Sequence, residues 1–330
     1  MDSVRKLTIG FWVVGAGFIA LLVYLADIDQ VVQSVAFIGW GVALVVMVRV
    51  LVLVVDSQSW RCLLERDTRL GLREATVQRW VGESVSTMLP FAAIGGELAR
   101  VRVSMLSGMT GALAFASIIM DGVVALASQF IFLCLGIALF AQTAAGTETV
   151  NQSILVGSAA MLIAVVLLWM PIRGGALGRL ANILKADLSN DRVLGFADAM
   201  GSVDRHITEI ADQSAAMTKS VIWRLLGWLL GSAEIWLILY LVGHPISIAG
   251  ALVLDSLTAV VRTAFFFVPG GLVVQEGAML AVGAALGASG DAILIAAVIK
   301  RAREIFFSIP GLLAWELLET KRLNRSSAKG

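Results

Sequence analysis

Long apolar runs constrain this chain more than any other feature. A helix of about 20 apolar residues crosses the roughly 30 Å hydrocarbon core of a bilayer, and runs of that length lie near residues 7–26, 35–55, 110–140, 153–171, 221–242 and 291–318. Two further apolar stretches, 81–93 and 249–286, are interrupted by proline, glycine and glutamate. In lipid such breaks are tolerated only where the backbone is buried in protein or lines a wet cavity. The sequence therefore predicts an all-α polytopic membrane protein. Its single domain, residues 1–330, would hold about six transmembrane helices plus two re-entrant or broken segments. Composition agrees, with 58% hydrophobic and 15% charged residues, against about 45–50% and 25% in soluble domains.

Loop charges set an expected orientation. The first run has a basic flank but lacks a small-residue cleavage pattern, so it reads as a retained helix and not a signal peptide. Arg61, Arg66, Arg69, Arg73 and Arg79 follow the second run, whereas Asp27 and Asp29 follow the first. The loop after residue 171 is rich in Lys and Arg, while the one after residue 140 has neither. With basic loops on the inside, both termini are expected in the cytoplasm, provided each broken segment enters and leaves on one side.

The two broken segments share a register. Glu83 lies seven residues before Pro90 and Glu97 seven after; Arg262 lies seven before Pro269 and Glu276 seven after. Asp121 and Lys300 each fall 31 residues beyond their proline. One segment would start from the cytoplasm and the other from outside, the pattern of an inverted repeat. It would comprise units 35–141 and 221–318, joined by a linking region, 142–220. In that region Met200, Val203, Ile207, Ile210 and Met217 have helical spacing, which fits an amphipathic helix on the cytoplasmic membrane surface or one packed on other loop residues.

Charges inside apolar runs cost about 2.5–3.5 kcal/mol each on insertion scales, so they mark either ion pairs or work on a ligand. Glu97 and Glu276 are candidates to engage a headgroup or a coupling proton, or else to form structural pairs. Lys300, Arg301, Arg303 and Glu304 fall on one helical arc, with Lys300 and Glu304 spaced as an i, i+4 pair. They face a bundle interior if the last run is one helix. They sit at the cytoplasmic edge if residues 277–299 span instead. Asp121 is expected opposite Lys300 and Arg301, and Arg262 opposite Glu83, with Arg49 snorkelling toward the cytoplasm; Arg100 is a further candidate to contact a ligand. Pro269, Gly270 and Gly271 either aim free N–H groups at an anion or make a tight turn.

Two cysteines, two histidines and a net charge of +1 point away from a disulfide framework, a zinc site or a nucleic-acid partner. No cofactor is expected. No G-x-x-x-x-G-K-[ST] motif occurs, so energy for transport would come from a gradient or a partner.

The segments "GGELARV" (95–101), "FVPGGLVVQEGA" (267–278) and "KRAREIFFSIPGLLAW" (300–315) resemble the lysylphosphatidylglycerol synthase transmembrane-region, or flippase-like, family. The resemblance is nearest to its hopanoid-associated HpnL-type group. Phe91 and Val273 stand where glycine is usual in that family. The resemblance implies an all-α membrane domain that binds lipids or moves them between leaflets of a bacterial inner membrane. It implies a hopanoid or phospholipid as ligand, and lipid-biosynthesis proteins as possible neighbours. The aminoacyltransferases of the family add a soluble catalytic domain, for which no sequence is seen here. The leading expectation is a lipid transporter or flippase-like protein. A lipid-modifying enzyme using Glu276 as base beside Arg301 and a non-transporting scaffold are the alternatives.

Overall fold

A computed structural model describes residues 38–64, 68, 70–88, 92–142, 191–264 and 274–327, with isolated positions between 159 and 182. The expected first span, most of the run at 153–171, and the breaks at Pro90 and at Pro269, Gly270 and Gly271 lie outside the described residues. Every described element is a helix: α1 Gly41–Cys62, α2 Leu72–Met88, α3 Ala92–Leu106, α4 Gly111–Phe140, α5 Asp191–Ala211, α6 Ser214–Leu241, α7 Ile248–Ala264, α8 Val274–Ala285 and α9 Gly290–Ser327. The expected polytopic all-α fold is found.

Of these, α1, α4 and α6 are long and apolar enough to cross a membrane. At 1.5 Å per residue they measure about 33, 45 and 42 Å. Leu44, Met47 and Leu51 on α1, Phe115, Ile131 and Leu135 on α4, and Ile222 and Leu229 on α6 are exposed. Large apolar side chains spread over outward helix faces suit contact with lipid chains.

Helix boundaries repeat at the spacing that relates Pro90 to Pro269. By that spacing the ends of α1 and α6 coincide, as do the ends of α3 and α8 and the starts of α4 and α9. Gly108 and Gly287 occupy equivalent turns, both with positive φ, +95° and +73°, where a Cβ would strain the backbone. Two residues on, Thr110 accepts a hydrogen bond from Leu113 N–H at 3.3 Å and Ser289 one from Ala292 N–H at 3.5 Å. Each hydroxyl caps the helix that follows.

Packing repeats as well. Helix α2 lies on α9, and its counterpart α7 on α4, so the hairpin of each half rests on the last helix of the other. The equivalent helices α1 and α6 pair side by side in opposite directions. Ser59 and Ser220 hydrogen-bond each other's backbone carbonyls at 2.8 Å, while Gly41, at the other end of α1, touches Leu241.

Apolar cores close both ends of the bundle. One joins α1, α6, α7, α8 and α9 through Val45, Ile238, Leu254, Met279 and Ile293. The other joins α1, α2 and α4 to α5 through Trp60, Leu63, Leu113, Ile207 and Ile210. Val203, Ile207 and Ile210 of α5 are thus spent on α1, α2 and α4 and not on other loop residues, while Met217, the last residue of the expected stripe, falls on α6. In α9 the helix runs unbroken from Gly290 past Pro310, and a turn at residues 286–289 separates it from α8. A span over residues 277–299, the other option for this region, is excluded.

Candidate functional site

Between the two apolar cores lies a layer of charge. Its first cluster centres on Asp121 of α4, which is buried and meets three arginines from three other helices. Arg79 of α2 reaches it at 2.5 Å and Arg100 of α3 at 3.0 Å, while Arg224 of α6 donates to its other oxygen. Arg224 also reaches Asp56 of α1 at 3.0 Å. Arg100 lies 4.7 Å from the centroid of the Trp60 ring, within cation–π range, and bonds Glu97 at 2.9 Å. The Glu97 side chain is 53% exposed, so the cluster has one carboxylate at the surface and its arginines inside.

The second cluster gathers on α9. Arg303 meets Glu234 of α6 at 2.7 Å, both nearly fully buried. Arg301 bridges Glu276 of α8 at 3.1 Å and Glu304 at 3.3 Å, and Lys300 lies 3.7 Å from Asp255 of α7. Asp255 also accepts a bond from Ser232 at 3.1 Å. Arg49 of α1 pairs with Glu83 of α2. Its field extends to Asp56 in the first cluster and to Glu234 and Glu304 in the second, so it stands between them.

Several expectations are corrected. Asp121 does not face Lys300 and Arg301, because Arg79, Arg100 and Arg224 converge on it from the adjacent helices. Arg262 does not face Glu83, whose partner is Arg49; Arg49 accordingly points inward and does not snorkel. Lys300 turns to Asp255 and not to Glu304, which Arg301 and Arg303 hold. The α9 cations sit inside the bundle and not at its edge, with side chains only 5–14% exposed. Arg262 is exposed at the last turn of α7 and makes no ion pair among the described residues.

Sequence reading missed Arg79, Arg224 and Asp56 as members of the layer. Arg79 had been grouped with loop bases, and Arg224 sits at the fourth position of an apolar run whose average hides it. The available signal was helical phase: Arg224, Gly227 and Gly231 lie on one face of α6, and the two glycines touch Asp56 and Asp255. Small residues there let carboxylates approach the helix.

Arg79 Nε, Arg100 Nε and Nη2, Arg224 Nε and Arg303 Nε are buried donors with no hydrogen-bond partner among the described residues, and Asp56 Oδ1 and Glu276 Oε2 are buried acceptors without one there. Buried polar atoms of this kind are ordinarily met by water or by a polar ligand. Surplus guanidinium donors suit an oxyanion in particular, since their planar forks match phosphate and carboxylate. Among the described residues no group of His, Cys, Asp or Glu is arranged to hold a metal ion.

A family model described as the lysylphosphatidylglycerol synthase TM region matches residues 9–311. Neither a curated protein nor a solved structure matches the chain.

Proposed function

This chain belongs to the lysylphosphatidylglycerol synthase TM region family, and from that premise we propose that it carries lipid headgroups between the leaflets of a bacterial inner membrane, with both termini in the cytoplasm. The observation that carries this reading is the charged layer itself. Ion pairs contributed by α1, α2, α3, α4, α6, α7, α8 and α9 form a polar interior between two apolar ends. For stability alone, packed apolar side chains would serve as well as buried ion pairs. A headgroup crossing the membrane needs what this layer offers, namely charge and hydrogen-bonding capacity out of contact with lipid tails.

Residues at the margins of the layer give it entrances. Glu97 is half exposed, Glu276 is 28% exposed beside the largely covered Arg301, and Arg262 is an exposed cation near the second break in sequence. Repeated helix boundaries and the antiparallel α1–α6 pair support two related units of opposite orientation. Rocking of such units about their interface is a known route to alternating access. The surplus guanidinium donors favour an anionic phospholipid, and the HpnL-type resemblance favours a hopanoid. We take phosphate-bearing lipid as the first cargo to test. In this reading the protein is a transporter and not an enzyme.

The test is transbilayer movement of headgroup-labelled phospholipid and of a hopanoid analogue in liposomes holding the purified protein, with Glu276→Gln and Arg301→Ala beside wild type. The expected result is movement that both substitutions abolish while the proteins remain folded. Movement that is insensitive to both would remove the charged layer from the mechanism, and lipid chemistry in place of movement would make the protein an enzyme.

A further inference from the structure

A cavity of about 730 Å³ opens where the end of α6, the start of α7 and the α8–α9 turn meet the end of α4. It lies beyond the charged layer, at the end of the bundle that the loop charges place outside. Comparison of the two units explains why it exists. The cavity walls include Leu239, Ala249, Ala288 and Ala292. The residues at the equivalent places of the first unit are Trp60, Leu70, Met109 and Leu113, and all four belong to the apolar cluster that α5 completes. Larger side chains and an added helix fill in one unit what three alanines and a leucine leave empty in the other. The exchange is not uniform, since Leu286 corresponds to the smaller Ser107, but its sum is a cavity at one end and a core at the other.

We infer that this cavity is a binding site for the hydrocarbon part of a membrane lipid. Its volume falls within the roughly 300–1,000 Å³ typical of small-molecule sites. Tyr240 and Ile248, which adjoin lining residues in sequence, are 57% and 68% exposed. Exposed apolar side chains thus stand next to the lining, of the kind that lipid chains cover in a membrane protein. His244 and Ser247 also line the space and give an ester or carboxylate at the end of a chain groups to meet. The assignment does not depend on transport, because a site of this kind would equally suit a scaffold or an enzyme.

The experiment uses the purified full chain in bilayers with two probes, a phospholipid carrying a diazirine in one acyl chain and a free fatty acid carrying the same group. Adducts are mapped by mass spectrometry in wild type and in a variant with Ala249→Leu, Ala288→Met and Ala292→Leu, the residues the first unit uses. Wild type is expected to carry adducts at residues 244–250 and 285–292 with at least one probe. The filled variant should lose them while labelling of the exposed face of α1 is unchanged. Labelling by phospholipid alone identifies a headgroup-bearing lipid, and labelling by both identifies the chain as the recognised part. Should the triple variant fold poorly, Ala288→Met alone is expected to reduce the adducts. Absence of adducts there in wild type when α1 is labelled would mean that water or another stretch of chain fills the space, and overturns the inference. So would adducts that persist unchanged in the filled variant.

Discussion

Asp121 is the residue on which the interior depends most. Three guanidinium groups share its carboxylate, so removing its charge leaves an uncompensated cluster, a change worth about 3–5 kcal/mol when a buried pair is broken. Asp121→Asn is predicted to lower the detergent-solubilised melting temperature more than Glu97→Gln, whose carboxylate is half exposed and has a single arginine partner. A melting series read by intrinsic fluorescence checks the order. Arg224→Ala should rank with Asp121→Asn, because Arg224 ties α6 to both Asp121 and Asp56. At this scale the sequence was legible in part. The charges at Glu276, Lys300, Arg301, Arg303 and Glu304 could be picked out because they interrupt apolar runs, and Glu276 does meet Arg301. Partners could not be read, since pairing depends on which helices lie side by side. Arg49 and Glu83, or Arg303 and Glu234, are far apart in sequence, and no local pattern joins them.

Helices in this bundle approach one another where glycine permits. A Cβ on Gly136 of α4 would lie 1.9 Å from the Ser256 hydroxyl of α7, and one on Gly311 of α9 would lie 2.0 Å from the Ser84 hydroxyl of α2. Both contacts lie where a hairpin rests on the last helix of the other half, and small residues serve membrane helix packing in this way. Gly136→Ala and Gly311→Ala are each predicted to destabilise by about 1–3 kcal/mol, the usual cost of overpacking, as a fall in melting temperature. Gly287→Ala, at positive φ, should cost about 1–2 kcal/mol through the backbone instead. Near Gly311, Pro310 leaves the carbonyl of Phe306 without its helical donor, and Trp80 donates to the next carbonyl, Phe307, at 2.8 Å. Element existence was largely legible from the apolar runs, including α1, α4, α6 and the two broken hairpins. The run at 291–318 lies wholly within α9, but whether one helix passes through its central charges stayed open, because those charges could also mark a boundary. They become compatible with one helix only when Glu234, Asp255 and Glu276 surround them.

As a whole the molecule places polar interactions between two apolar ends and builds them from halves that share helix boundaries, capped turns and exchanged packing partners. The matching registers around Pro90 and Pro269 announced this relation in sequence. What they could not announce is how the halves differ: Asp121 and Lys300 hold equivalent positions with opposite charge, and α5 fills one end while a cavity marks the other. If the protein moves lipid as proposed, opposite charge at equivalent places gives the two sides of the layer different chemistry toward a headgroup. The most direct measurement separates a structural ion pair from a working one: lipid movement and melting temperature recorded together for wild type, Arg301→Glu, Glu276→Arg and the double exchange. The double exchange restores opposite charges across the α8–α9 contact but puts the anion where the cation stood. Because Glu304 loses its bond to Arg301, the double exchange is expected to recover part of the stability lost by either single variant while lipid movement stays abolished. Recovery of both would mean that the pair serves only to hold α8 against α9 and has no part in moving lipid.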